Sequence, residues 1–466
     1  MHTPSHASRR QLLRLASAGS LGIGLGLTSG LGALPRVWAQ AAPGRLAQSG
    51  SEPGRLVVVF LRGAYDGLSA FVPYADRDYY AIRPNIAIAA PDGTAQTAIA
   101  LDKSFALHPA LSPLLPLWQQ GVLSFVPAAG LPAPNRSHFD AQYQMEVAQP
   151  GKLSNAPGWL NKLALLSPNV GLNASNNPAT ALGVGEANPA ILAGKASVKL
   201  IPRGQAAERT GVLASDKTRQ ALLDLYAGND RLSEAFRQGA GSRMQSAQEL
   251  TTEKSLREGS AREAKRMDRT LDKDGTPANT AAQNAQMLAA SNGAADPVGL
   301  QLDAQHLGTL MRNDRRLRLG FLSAGGWDTH ANQGNATGAL ANNLGNLATG
   351  ITELRRQFAE PGDVVIVMSE FGRTSAENGT RGTDHGFGNA MWLIGNRVAG
   401  GQWHGQWTGL AKGNLHENRD LPAHHDYRAV LAQAFRGTFS MSDSMLSAVL
   451  PGASWDNRLD GLLRKA

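Results

Sequence analysis

The sequence predicts an α/β protein, and three observations carry that prediction. Several short runs are apolar throughout and rich in β-branched residues, the pattern of strands buried on both faces. A long amphipathic segment separates two of them. Each run then opens into a polar, Gly-rich loop, which fits the ligand-bearing ends of strands in open α/β sheets.

The first run is Arg55 to Leu61, which leads straight into Arg62-Gly63-Ala64-Tyr65-Asp66-Gly67. Leu107 to Gly121 reads as a helix with Pro109, Pro113 and Pro116 crowded at its start. Val122 to Pro127 reads as a second strand, followed by the loop Asn135-Arg136-Ser137-His138-Phe139-Asp140. Residues 205–300 change character: aromatics thin out and Leu or Met recur at helical spacing, so a helical insertion is expected, with a polar linker near 275–297. The strand pattern returns at Leu317 to Leu322, which delivers Gly325-Gly326-Trp327-Asp328-Thr329-His330. Thr337 to Phe358 is an amphipathic helix carrying Leu340, Leu344, Leu347, Ile351 and Leu354 on one stripe. Asp363 to Met368 is a further buried strand ending in Ser369-Glu370-Phe371-Gly372-Arg373-Thr374, and Ala390 to Gly395 is another.

The N-terminus reads as a targeting segment. Ser8-Arg9-Arg10-Gln11-Leu12-Leu13 is a twin-arginine signature, followed by a Gly-rich, weakly apolar stretch and the small-residue context Val37-Trp38-Ala39. Removal after Ala39 or Ala41 is expected. The twin-arginine translocase is then a partner during export, the destination is periplasmic or secreted, and no membrane anchor remains. The domain plan is therefore a signal over 1–39, an α/β domain over 40–204 and 301–466, and the insertion with its linker over 205–300. No other stretch approaches the roughly 20 apolar residues of a membrane span.

Composition narrows the chemistry. The 466-residue chain has no cysteine, which excludes disulfides, thiolate ligands and a cysteine nucleophile. Its formal charge is +8, and the four arginines of residues 1–39, which contain no acid, account for half, leaving +4. The remaining Lys and Arg form no stripe with aromatics, so nucleic acid is set aside as a partner.

Candidate site residues cluster in the loops. Asp328 and His330 lie two apart at a strand exit, so in extended backbone both side chains face one way. Asp384 and His385 are adjacent in the Gly-rich run Gly379 to Gly386, which suits a tight turn around an ion. Asp66 supplies a third carboxylate. Mixed carboxylate and imidazole ligands suit one or two divalent ions, Zn or Mn, whereas carboxylates alone suit Ca. A lone Asp after a strand is ordinarily a cap or turn residue; it is the convergence of three such loops that points to metal-assisted hydrolysis of a small anionic ester. Ser137 is a candidate nucleophile, with Arg136 and Arg373 as candidate clamps for the transferred group. A Glu370–Arg373 brace is the equal alternative for Arg373. His424 and His425 stay open as further ligands, and Asp426 reads as a helix cap.

Taken together, the twin-arginine start, Leu61-Arg62-Gly63-Ala64-Tyr65-Asp66-Gly67-Leu68, Arg136-Ser137-His138-Phe139-Asp140, Gly326-Trp327-Asp328-Thr329-His330, Ser369-Glu370-Phe371-Gly372-Arg373-Thr374 and Asp384-His385-Gly386 resemble a bacterial exported family of unknown function. That family is distantly similar to the alkaline phosphatase and sulfatase superfamily. The resemblance implies an alkaline-phosphatase-like mixed, mostly parallel sheet flanked by helices. It also implies metal ligation by Asp66, by Asp328 with His330, and by Asp384 with His385, with Ser137 near the nucleophile position. Two departures stand out. The closest match to a sulfatase nucleophile motif is Pro132-Ala133-Pro134-Asn135-Arg136, with proline at the reactive position. Asp328 and His330 also sit closer together than the Asp and His of an alkaline phosphatase metal pair. A metal-binding or assembly protein without catalysis is thus the second functional reading.

Overall fold

The computed structural model describes residues 54–152, 154–166, 179–260 and 280–464, with side chains from 255 to 260 left aside. The expected export signal lies outside the described residues. Among those described, no helix is long and apolar enough to cross a membrane.

An eight-stranded sheet forms the centre. Its strands, in chain order, are β1 (Leu56–Leu61), β2 (Leu123–Gly130), β3 (Ala181–Val184), β4 (Val198–Ile201), β5 (Leu319–Ala324), β6 (Val364–Ser369), β7 (Asn389–Ile394) and β8 (His425–Asp426). They lie in the order β8-β2-β7-β6-β1-β5-β3-β4. β1 pairs in parallel with both β5 and β6, β3 continues the parallel run to β4, and β8 is parallel to β2. Only β7 runs the other way, antiparallel to β6 and to β2. The sheet is therefore mixed and mostly parallel, as the family resemblance implies.

β1 is buried along its whole length because helices cover both faces, which is why it reads as an unbroken apolar run. On one face Leu56, Val58 and Phe60 pack with Trp159, Leu163, Val430 and Phe435. On the other, Val57, Val59 and Leu61 pack with Leu307, Leu310, Leu344 and Ile351. The alternation follows from the two-residue period of a strand. The predicted amphipathic helix spans Ala339–Gln357 and buries the expected Leu and Ile stripe. The expected helix at 107–121 is broken: Pro109–Leu114 forms a 3-10 turn and only Leu115–Gln119 is α-helical, the outcome of proline removing backbone donors.

Two features differ from the sequence reading. β3 and β4 carry no strong strand signal, being four residues each. The stretch expected as a linker near 275–297 contains a helix, Ala281–Ala290, started by a capping box between Thr280 and Gln283. With Asp216–Leu225 and Arg231–Ser260 it makes the inserted region helical, as composition suggests.

One buried charge cluster ties the centre of the sheet to the helix His138–Val147. The Arg62 guanidinium, 1% exposed, donates to Glu186 at 2.7 Å, Glu146 at 2.9 Å and Gln142 at 2.9 Å. Removing one partner of such a cluster strands the others in a dry interior. Arg62→Ala is expected to lower the unfolding free energy by about 3–5 kcal/mol in urea denaturation; a change within the range of a surface substitution would show that the cluster contributes no net stability.

Candidate metal centre

The candidate residues gather at one edge of the sheet. Loops leave the C-terminal ends of β1, β2, β5 and β6 there, and because β7 is antiparallel its leading loop joins the same edge. That loop carries Asp384 and His385. It is laid tightly against its neighbours: a Cβ on Gly382 would collide with the His330 backbone, and one on Gly386 with that of Arg373. Arg373 and His385 form a backbone bridge, and Thr383 N–H donates to the Thr329 carbonyl at 3.1 Å. Glycine is needed here for close approach of two chains.

Asp328 is the hub. Its Oδ1 lies 2.6 Å from Arg373 Nη1, 2.9 Å from His330 Nε2, 3.2 Å from His385 Nε2 and 3.3 Å from His138 Nε2. The rings also approach one another, with His385 Nε2 at 2.9 Å from His138 Nε2 and 3.0 Å from His330 Nε2. His138, Asp328 and His385 in particular each offer one ligand atom within 4.8 Å of the others.

The far nitrogen of every ring has an oxygen partner. His138 Nδ1 meets Glu370 Oε1 at 2.7 Å, His330 Nδ1 meets Asp384 Oδ1 at 3.0 Å, and His385 Nδ1 meets the Arg136 carbonyl at 2.9 Å. Those acceptors assign the ring protons to Nδ1 and leave the Nε2 lone pairs facing inward. Inward-facing lone pairs beside a carboxylate repel unless a cation or an added proton lies among them. Asp328 Oδ2 is moreover buried with no hydrogen-bond partner. An imidazole-rich set with one carboxylate and an unmatched buried oxygen fits a borderline divalent ion such as Zn, and fits the oxygen-loving Ca poorly.

Electrostatics follow from this crowding. Burial alone pushes the Asp328 carboxyl up, but its close contacts with the His138, His330 and His385 rings and the charge of Arg373 outweigh it and hold it well below the usual carboxylate range. Burial also opposes a charge on His138, yet its bonds to Asp328 and Glu370 prevail and raise it to about 9. Without a cation, His138 thus carries the proton that separates the lone pairs. Exposure rises across the centre from the fully buried Asp328 side chain to Asp384, which is 54% exposed.

Of the residues picked from sequence, Asp328, His330, Asp384 and His385 are brought together. Asp66 is not among them; its carboxylate pairs with Arg83 at 2.6 Å, both groups buried. Arg373 touches the cluster, but as a brace: Nη1 holds Asp328, Nε donates to Thr383 Oγ1 at 3.1 Å, and Nη2 donates to the Thr383 carbonyl. It forms no pair with Glu370, which instead accepts from His138, Gln142 and the Gly63 N–H. Ser137 is exposed and caps the helix His138–Val147 by accepting from Asp140 N–H. Arg136 directs its guanidinium to Glu417 at 2.8 Å and Asp420 at 2.7 Å. His425 bonds Asp456, His424 bonds Thr408, and Asp426 caps its helix. His138 and Glu370 had no ligand-type spacing to reveal them; the one signal was His138 in a loop following a strand.

The Asp66–Arg83 pair gives a pH-dependent test. Burial pushes Asp66 up, but the Arg83 charge and bonds from Arg83, Ser69 and Gln333 hold it below its usual value. Its contribution is present above about pH 4, the unfolded value, and is lost as pH falls through the depressed one. In Arg83→Met the carboxylate is stranded, so a deficit of about 3–5 kcal/mol is expected at pH 7. That deficit should shrink on acidification as Asp66 takes a proton; a deficit independent of pH, read from urea unfolding at pH 7 and pH 4, would contradict the pairing.

No curated protein matches the sequence. Among solved structures, a crystal structure of a quadruple mutant of the alkaline phosphatase PafA matches at 12% identity and a TM-score of 0.27, over 70% of this chain. The chain spans 64% of that structure's length, less than two thirds. The model of the family described as "Protein of unknown function (DUF1501)" matches residues 54–450, and the chain belongs to that family.

Proposed function

We propose that this protein is an exported metal-dependent hydrolase acting on phosphate or sulfate esters, with a divalent ion held by His138, Asp328 and His385 and flanked by His330 and Asp384. One observation carries the reading: imidazole Nε2 atoms converge on a buried carboxylate oxygen while every Nδ1 is already bonded to an oxygen. A bound ion there would supply Lewis-acid polarisation of an ester oxygen and a water of lowered pKa. The protein's own part is orientation. Glu370, Asp384 and the Arg136 carbonyl fix the rings, Arg373 fixes Asp328, and the exposed Asp384 marks the side from which substrate would approach. Twin-arginine export suits the reading, since that route carries folded proteins and a metal can be loaded before transit.

A second reading, a metal-binding protein without catalysis, has its own support. The Ser137 hydroxyl is engaged as a helix cap, and Arg373 has its donors on Asp328 and Thr383. A nucleophile and clamp of side-chain origin are thus both committed elsewhere.

Elemental mass spectrometry on the protein expressed with metal supplied separates these outcomes. Stoichiometric Zn or Mn is expected in the wild type and its loss in Asp384→Ala/His385→Ala; unchanged metal in the double variant would place the ion elsewhere. A screen of aryl phosphate and sulfate esters on the loaded protein then decides between the readings. Turnover that vanishes with the metal supports the hydrolase, and metal without turnover supports the binding protein.

A further inference from the structure

Asp66 lies in the loop after the central strand and bonds Gln333 of the loop that follows β5, yet its carboxylate is already complete. Oδ2 accepts from Arg83 Nη1 at 2.6 Å, Ser69 Oγ at 2.7 Å and Gln333 Nε2 at 2.8 Å, and Oδ1 accepts from Arg83 Nη2 at 3.2 Å. Arg83 is equally committed. Its Nε donates to the Ser375 carbonyl at 2.7 Å and its Nη2 to that of Thr374 at 3.0 Å. Asp66 is 1% exposed and Arg83 fully buried, so this is a fixed internal charge pair rather than a surface contact. An ion placed on Asp66 would have to displace the guanidinium and strand its donors among carbonyl groups.

We infer that the centre takes a single ion, that Arg83 is the permanent cation at Asp66, and that Asp66 acts on the centre through a buried hydrogen-bond chain that positions Asp328. This inference rests on the metal-centre reading above. The chain has a defined polarity. Because Gln333 Nε2 donates to Asp66, its Oε1 faces two hydroxyls, accepting from Thr329 at 2.8 Å and from Thr383 at 3.0 Å. Thr383, having spent its proton on Gln333, accepts from Arg373 Nε at 3.1 Å. Arg373 Nη1 then holds Asp328 Oδ1 at 2.6 Å. Gln333, Thr383 and Arg373 are each at most 2% exposed, so water offers no substitute partner. Reversing the Gln333 amide would put NH₂ against the Thr329 and Thr383 hydroxyls and a carbonyl against Asp66. The Asp66 charge forbids that reversal, and so directs the Thr383 proton to Gln333 and leaves its oxygen to accept from Arg373.

Zinc stoichiometry and affinity test this without any activity assay. Purified protein is saturated with zinc, desalted and analysed by elemental mass spectrometry, and affinity is read by competition with a chromophoric chelator. The expected wild-type result is one equivalent. Two equivalents, with one lost in Asp66→Asn, would overturn the single-ion inference, whereas no zinc at all would overturn the metal-centre reading itself. Thr383→Val removes the linking hydroxyl at nearly constant volume. It should keep one equivalent but bind zinc about 10–100-fold more weakly, the usual cost of losing a group that orients a ligand. Thr383→Ser should restore wild-type affinity. Unchanged affinity in Thr383→Val, with folding verified by circular dichroism, would overturn the chain from Asp66 to Asp328.

Discussion

Everything at the candidate centre depends on one buried carboxylate. Asp328 lies where β5 ends, its side chain fully shielded, with Arg373 and three imidazoles around a single oxygen. A lone carboxylate in such a place would be costly. The arrangement is tolerable because Arg373 supplies a charge-assisted bond and because a cation, or the proton that His138 otherwise holds, separates the ring lone pairs. The surrounding loops are shaped to serve this geometry. Glycines at 382 and 386 allow the Asp384–His385 loop to press against the backbones of His330 and Arg373.

The second constraint is topological. His138, Asp328 and the pair Glu370 and Asp384 come from three separate connections of the chain, and they meet because β2, β5 and β6 end, and β7 begins, at one edge. β7 matters most in this respect. Were it parallel, the Asp384–His385 loop would enter it from the opposite edge of the sheet and the centre would lose both an imidazole and the partner of His330. Its reversal beside β6, and its pairing with β2 on the other side, bring the loop to where the candidate ligands are.

A third theme is the division between charges that touch the centre and charges that brace it. Arg62, Arg83 and Arg373 are all buried and all paired, and each ties a strand end to something else: Arg62 to the helix that bears His138, Arg83 to Asp66, Arg373 to Asp328. Burying three guanidiniums is justified only where geometry is demanding, since apolar packing would serve stability alone as well. Arg373 and Asp66 both look like functional groups when read as letters in a loop. Their partners show them holding position rather than facing outward.

The apolar runs by themselves determined the strands at 55–61, 122–127, 317–322, 363–368 and 390–395, because a strand covered on both faces must be apolar along its length. The same text placed the amphipathic helix over 337–358, where the structure has 339–357, and marked the loops with Asp328, His330, Asp384 and His385, where Asp and His beside glycine stand out against apolar flanks. Only the tertiary structure decided the rest. The direction of β7 leaves no trace in an apolar run, which reads alike both ways. β3 and β4 are too short to show a period. His138 entered the cluster because β2 aims its following helix there, and Asp66 left it because Arg83, seventeen positions downstream on another segment, reaches its carboxylate first. Local chemistry names which residues are able to bind; which of them face one another is a property of the folded chain.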